Sequence, residues 1–509
     1  MNGLHQYAEI EKNPGSVRLN QVPVLSYYDF YRQTDYLMED ASNHCLNYFA
    51  VDYVTCLQFF CLIANDSRNK ILVYSHVLAK DDEPSLEPIT KKHFQFHVFE
   101  REIHENFNIL FPGHPWLKPL RFSHYRADKS KIMDNYPFYT LPSEELHLVG
   151  VGPVHAGVIE PGHFKFICNG ENVLHLEIQL GYQHRGIEKL MLTKKHPLQR
   201  MVISESIAGD TAIGHGLAHA LTMESLSGFS VPSALALERS IALELERIAI
   251  HIGDTSALCT DIAYQLGQVV NEALRTTIIN TTQYWCGNRF GKGLIRPFGT
   301  YYPLSNYVIQ EIRKILDDSG RRYFEMADRI LNLPSVLSRF DNIGKISREQ
   351  ANSIGTVGMA ARSAGIKRDI RHSHPFLQFC EKQYEPVIED AGDIMARAKL
   401  RKTEIEKSIA LIYNWLDKFS TQSFEKSPLP DYSASLLPNS ISVALTEGWR
   451  GEICHCAITD NNGELFHYKI KDPSLHNWMA LALALRDLEI SDFPVTNKSF
   501  NLSYCGHDL

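Results

Sequence analysis

Residues 197 to 290 carry long helical patterns, and these limit the fold more than any other feature of the chain. Ile241, Leu245, Ile248 and Ile252 recur at spacings of 4, 3 and 4, one apolar stripe of a 3.6-residue period. Pro232 at the head suits a first helical turn. Glu238, Arg239, Glu246 and Arg247 interrupt the stripe with charge. Further helices are predicted at roughly 305–330, 345–360 and 376–420, with a last one at roughly 474–488. Several long helices close in sequence predict a bundle core.

The front of the chain has a different texture. Leu46–Val51 and Ile71–Tyr74 are short runs rich in aromatic and β-branched residues, which read as strands. Asp128 to Tyr136 is polar and lacks periodicity, and Pro137 and Pro142 reinforce a break there. Gly152-Pro153, Pro161-Gly162 and Asn169-Gly170 then punctuate apolar runs and predict β-hairpins. Strand texture returns at 440–472, with Asp460–Gly463 as a hairpin turn. The expected fold class is α+β: a docking domain over residues 1–145, then a domain over 146–509 with a helical-bundle core and peripheral hairpins. A length of 509 residues suggests two to four domains at roughly 150 residues each.

Composition excludes several classes of function. At 44% hydrophobic and 22% charged, the chain is neither disordered nor a coiled coil. Asp and Glu exceed Lys and Arg by 59 to 51, so no nucleic-acid partner is expected. The best apolar run, Val54 to Ala64, contains Gln58 and falls short of the roughly 20 residues that span a bilayer. Glu9, Glu11 and Lys12 stand where a secretory signal would be apolar, so a cytoplasmic location is expected. The ten cysteines include no CxxC pair.

Four constellations could carry chemistry. Tyr182–Lys189 crowds polar groups around Glu188. It reads as a solvated helix start with ordinary ion pairs or as the seat of a proton-relaying Glu, and spacing favours the first. His215 and His219 lie one helical turn apart, but Gly216 stands where a zincin needs Glu, so a packed, hydrogen-bonded pair is expected. Cys454-His455-Cys456 places both thiols on one strand face, with no second pair to complete a zinc site, so core cysteines are expected. The polar tail Lys498–Leu509 is expected to fray, with Cys505 alone beside His507. Phosphate-loop, dinucleotide and nucleophile-elbow motifs are missing.

Read in order, the motifs resemble a known family. Phe99-Glu100-Arg101-Glu102-Ile103 through Gly113-His114-Pro115 resembles the C-type subunit of NADH:quinone oxidoreductase (complex I). Gly152-Pro153-Val154-His155, Pro161-Gly162-His163-Phe164, His184–Lys189 and Glu244–Arg247 resemble its D-type subunit and the large subunits of membrane-bound energy-converting [NiFe] hydrogenases, the formate hydrogenlyase type included. So do Arg362–Gly365, Asp369, Arg371, Gly392-Asp393, Arg397, Glu447, Arg450-Gly451-Glu452 and Pro473–Asn477. The resemblance covers nearly the whole chain and implies a fused C-type/D-type subunit.

Two departures shape the implied function. Hydrogenases of this family hold nickel and iron with two CxxC pairs, whose positions fall here on Ala208, Thr211, Ser503 and Gly506. A methyl, two hydroxyls and a glycine hydrogen cannot replace soft thiolates, so no metal is expected. The chain also stops at Leu509, without the removable extension common in nickel-containing relatives. Complex I relatives instead hold a quinone headgroup between a Tyr and a His. The Tyr position falls on Gly209, and His155 and His163 are the two candidates for the His. By resemblance, Glu188 matches the glutamate that passes protons, while His184, Arg185, Asp210, His215 and Arg450 would face a vacated cavity. The implied partners are an iron–sulfur subunit and membrane-embedded anchor and antiporter-like subunits, with this chain peripheral on the cytoplasmic face. The expected role is redox or ligand chemistry coupled to ion translocation, or a non-catalytic structural and proton-relay part.

Overall fold

The computed structural model describes residues 6–80, 84–154 and 159–509. Helix and sheet are both present in quantity, in keeping with the α+β expectation. At the centre, helices Ser233–Asp261, Gln265–Cys286, Asn306–Asn332 and Ile394–Thr421 pack on one another. The stripe Ile241, Leu245, Ile248 and Ile252 lies in the largest apolar core. The charges that interrupt it are buried as well. Burial is tolerable because each finds partners: Arg239 donates to both Glu224 oxygens at 2.9 and 2.6 Å, and Glu238 accepts the Leu304 N–H at 2.8 Å.

Three sheets surround the helices. The first contains antiparallel strands Asn43–Asp52, Cys56–Asn65 and Lys70–Ala79, as the front of the sequence predicts, edged by Ala8–Ile10 and Val24–Leu25. The second is the predicted hairpin region, His147–Val151, His163–Asn169 and Asn172–Gln179. The third runs Leu465–Lys471, Gly451–Thr459, Ser440–Gly448 and, at its edge, Gly15–Arg18. That last strand comes from the front of the chain and pairs Gly15 with Val443 and Arg18 with Ser440. Helix Ala212–Ser227 packs on this third sheet and carries His215 and His219 into it.

Two expectations need correction. The helix expected over 376–420 begins only at Ile394, because Pro386 and Gly392 keep the preceding residues out of helical geometry. The tail does not fray: it folds into helix Tyr504–Asp508, whose residues are all buried. No helix among the described residues is long and apolar enough to cross a membrane.

Candidate functional site

The buried tail is the hub of the site. Ser503 caps its short helix by accepting the Gly506 N–H at 2.9 Å, and its own N–H donates to Ser474 Oγ. Arg185 donates to the carbonyls of Ser206, Ile207 and Cys505, tying the loop before Ala208 to the tail. Arg450 makes a second tie. It donates to Asn501 O at 2.6 Å, grips both Asp210 oxygens at 2.6 and 2.8 Å, and reaches Thr211 Oγ1 at 3.1 Å. Asp472 makes a third: one oxygen lies 3.0 Å from His215 Nε2, and the other accepts the Ser474 N–H. Ala208, Thr211, Ser503 and Gly506 are thus drawn to one region by three charged side chains.

The electrostatics follow from these contacts. Burial alone would raise the Asp210 carboxyl, but the Arg450 guanidinium overrides it and holds the group below the usual range. Burial opposes ionisation of Asp472 too, and His215 and Arg450 override it in the same direction. The Cys505 thiol, buried and beside Glu160, is pushed up to about 11 and stays protonated at neutral pH.

The other candidates sit around the same tail. His184 Nδ1 lies 2.8 Å from Asp508 O, and burial lowers its pKa. Glu188, in the first turn of helix Ile187–Thr193, lies 3.1 Å from Lys469 Nζ and accepts the Ile470 N–H at 3.0 Å. His184 and Glu188 border a cavity of about 550 Å³ with Glu102, Arg121 and Tyr468. Asp210 is held by Arg450 and His215 by Asp472, and neither lines that cavity. His163 is on the hairpin sheet with its ring 5.2 Å from Phe138, and His155 lies outside the described residues. Among the described residues no three His, Cys, Asp or Glu groups are placed to hold a metal ion.

Sequence reasoning missed Asp472, Glu160, Tyr468 and the imidazole of His455. Asp472 directly precedes the Pro473–Asn477 motif, a signal that was available. His455 stood between two cysteines that drew attention to sulfur instead.

The motif residues also meet in the core. Glu404 accepts from Arg362 at 2.6 Å and lies 2.8 Å from His251 and 3.3 Å from Arg371. Arg362 also donates to Glu447, Arg371 to Asp369, and Arg247 to Glu244. All these groups are buried. Burial and the Asp369 charge leave the Glu447 carboxyl at about 7, despite Arg362, whereas the guanidinium groups hold Glu404 far below the usual range against the cost of its burial. At the front, Glu100 accepts the Ile89 N–H at 2.6 Å and lies 3.5 Å from His114, joining both parts of the first motif.

The model of the respiratory-chain NADH dehydrogenase 30 kDa subunit matches residues 28–127, and that of its 49 kDa subunit matches residues 266–434. The chain is a member of this complex I and hydrogenase subunit family, with both parts on one polypeptide. Formate hydrogenlyase subunit 5 of Escherichia coli is 26% identical, over 96% of this chain and 87% of its own length. The fused C/D polypeptide of NADH-quinone oxidoreductase from Phocaeicola vulgatus is 24% identical, over 73% of this chain and 76% of its own length. A chain from the archaeal membrane-bound sulfane sulfur reductase shares the family fold, with a TM-score of 0.67 and 19% identity over 72% of this chain and all of that one.

Proposed function

We propose that this chain is a peripheral-arm subunit of a membrane-attached, complex I-like oxidoreductase, and that it works without a nickel–iron centre of its own. The reading rests on one observation: the residues at the four ligand positions do not fit that centre. Gly506 has no side chain, and a Cβ there would lie 2.6 Å from an Asp472 oxygen. Ser503 spends its hydroxyl on a helix cap, and Thr211 spends its own on Asp210 and Arg450. Ala208 offers only a methyl group. None of the four positions supplies a soft thiolate, and the single nearby thiol, Cys505, lies outside them.

The chain's own residues are suited to holding protons and an anionic group. Arg450 and Arg185 supply fixed positive charge, Asp472 and His215 a hydrogen-bonded acid–base pair, and Glu188 a carboxylate at the edge of a cavity. Electrons would enter from an iron–sulfur subunit docked against this face, and proton movement would be passed to antiporter-like subunits in the membrane. The N-terminal region would be the docking module and the assembly would sit on the cytoplasmic face. A second reading, a structural and proton-relay subunit with no redox step, draws on the tail itself, which packs with hydrogen bonds into the region of the four positions.

Isolation of the complex from membranes through a tag on this chain tests the proposal. The expected result is co-isolation of an iron–sulfur subunit, with Glu188→Gln leaving composition unchanged and lowering ion uptake into vesicles several-fold. A chain recovered alone and iron-free would contradict the first reading. Retained iron with unchanged ion uptake in Glu188→Gln would remove the role given to Glu188.

A further inference from the structure

A row of hydrogen-bonded imidazole and phenol groups leads away from Asp472. Asp472 Oδ2 lies 3.0 Å from His215 Nε2, and His215 Nδ1 lies 3.1 Å from His455 Nε2. His455 Nδ1 lies 2.9 Å from Tyr468 Oη, which is 2.8 Å from His219 Nδ1. All five side chains are buried. The row exists because two periodicities interlock. His215 and His219 are one turn apart on their helix, and His455 and Tyr468 project between them from neighbouring strands of the sheet below.

The far end lies beside a surface cavity. His219 borders a cavity of about 310 Å³ whose rim includes exposed Lys195, Asn462 and Glu464. Its Nε2 has no hydrogen-bond partner in the protein. One polarisation uses every other donor and acceptor once. His219 Nδ1–H donates to Tyr468, Tyr468 O–H to His455 Nδ1, His455 Nε2–H to His215 Nδ1, and His215 Nε2–H to Asp472. The lone pair left over is that of His219 Nε2, itself buried, on a residue that borders the cavity.

We propose that this row is a proton path between the surface cavity and Asp472. The inference rests on the reading of the tail region as a proton-handling site. A proton that binds His219 Nε2 releases the Nδ1 proton to the Tyr468 oxygen. Tyr468 passes its own to His455 Nδ1, His455 passes its Nε2 proton to His215 Nδ1, and His215 gives its Nε2 proton to the Asp472 carboxylate. One proton enters and one arrives, every bond along the row is exchanged for its neighbour, and the polarisation is reversed. Burial holds His219 at about 3 and His455 well below its usual value, and raises Tyr468, so the groups rest neutral and the protons shift together. The route does not run through Glu188, although Tyr468 and Glu188 line one cavity of about 550 Å³.

The path predicts how fast ring N–H protons exchange with solvent deuterium. The test uses the full chain labelled with 15N at histidine, with the ring signals of His215 and His455 followed after transfer to deuterated water. Tyr468→Phe keeps the ring and removes the hydroxyl, so both signals should exchange more slowly, by about a hundredfold if the phenol is the main carrier. His219→Phe should slow them likewise. Exchange by local opening gives the opposite sign, since a lost buried hydrogen bond makes opening easier. Unchanged or faster exchange in both variants overturns the path. In the assembled complex, slow exchange in Tyr468→Phe with unaltered ion uptake would keep the path and remove the functional reading on which it rests.

Discussion

At the scale of single residues, the core ion network sets the strongest expectations. Glu404 neutralises Arg362 and Arg371 and holds His251, all out of water. Glu404→Ala removes the carboxylate that Arg362, Arg371 and His251 share, leaving Arg362 with Glu447 and Arg371 with Asp369, and should cost about 3–5 kcal/mol, read from urea denaturation. Glu447 is different, because burial and the Asp369 charge raise its carboxyl towards neutral pH. Glu447→Gln should therefore cost less than about 2 kcal/mol at neutral pH, the range of a single neutral hydrogen bond. Equal losses in the two variants would contradict this division of charge. Arg362, Asp369, Arg371 and Glu447 were legible only through the family resemblance, and Glu404 and His251, inside helices, were not singled out by any sequence signal. Which acid faces which base was not legible, since the pairs span long sequence separations, as Arg362 to Glu447 does.

At the scale of elements, close backbone contacts explain where small residues are required. Gly451 has φ +138, and its missing Cβ would meet Gly358 Cα at 2.6 Å. Gly451→Ala should thus force apart the sheet and the loop before Arg362, at a cost above about 3 kcal/mol, seen as a lowered urea midpoint. Gly506→Cys, which would restore a ligand position on paper, meets Asp472 and should destabilise by about 1–3 kcal/mol. A stable variant that binds nickel would reverse that judgement. Helices and hairpins with strong periodicity or turn residues were readable, including the Asp460–Gly463 turn between strands Gly451–Thr459 and Leu465–Lys471. The edge strand Gly15–Arg18 was not, because its partner lies more than four hundred residues away. The tail was misread for a related reason. Its polar groups looked solvent-bound, yet Arg121, Arg185 and neighbouring amides satisfy them inside the protein.

At the scale of the whole molecule, buried ionisable groups set a stability optimum in pH. Burial lowers His76, His97, His219, His455, His467 and His476 far below the usual value of about 6.5, so the unfolded chain binds protons there that the folded chain refuses. Stability from these groups is complete above that value and is lost as pH falls. Burial raises Glu100 to about 7, Glu246 to about 8 and Glu447 to about 7. For these the folded chain holds the extra protons, so their contribution is present at low pH and is lost as pH rises to about 8. The histidines outnumber the glutamates below about 6.5, and above it the glutamates act together with His44, which Asp66 and Glu452 raise against the cost of its burial. The urea midpoint should therefore climb from pH 5, peak near about pH 6.5, and decline towards pH 8. A midpoint still rising between pH 7 and 8 would contradict the account.

The central claim is that this family member operates with hydrogen-bonding side chains where hydrogenases place nickel–iron ligands. Elemental mass spectrometry of the intact complex, from a host with working hydrogenase maturation, tests it most directly. The account predicts nickel at background beside stoichiometric iron from the partner subunit. One nickel per chain would contradict it, and with it the placement of the ligand positions at Ala208, Thr211, Ser503 and Gly506.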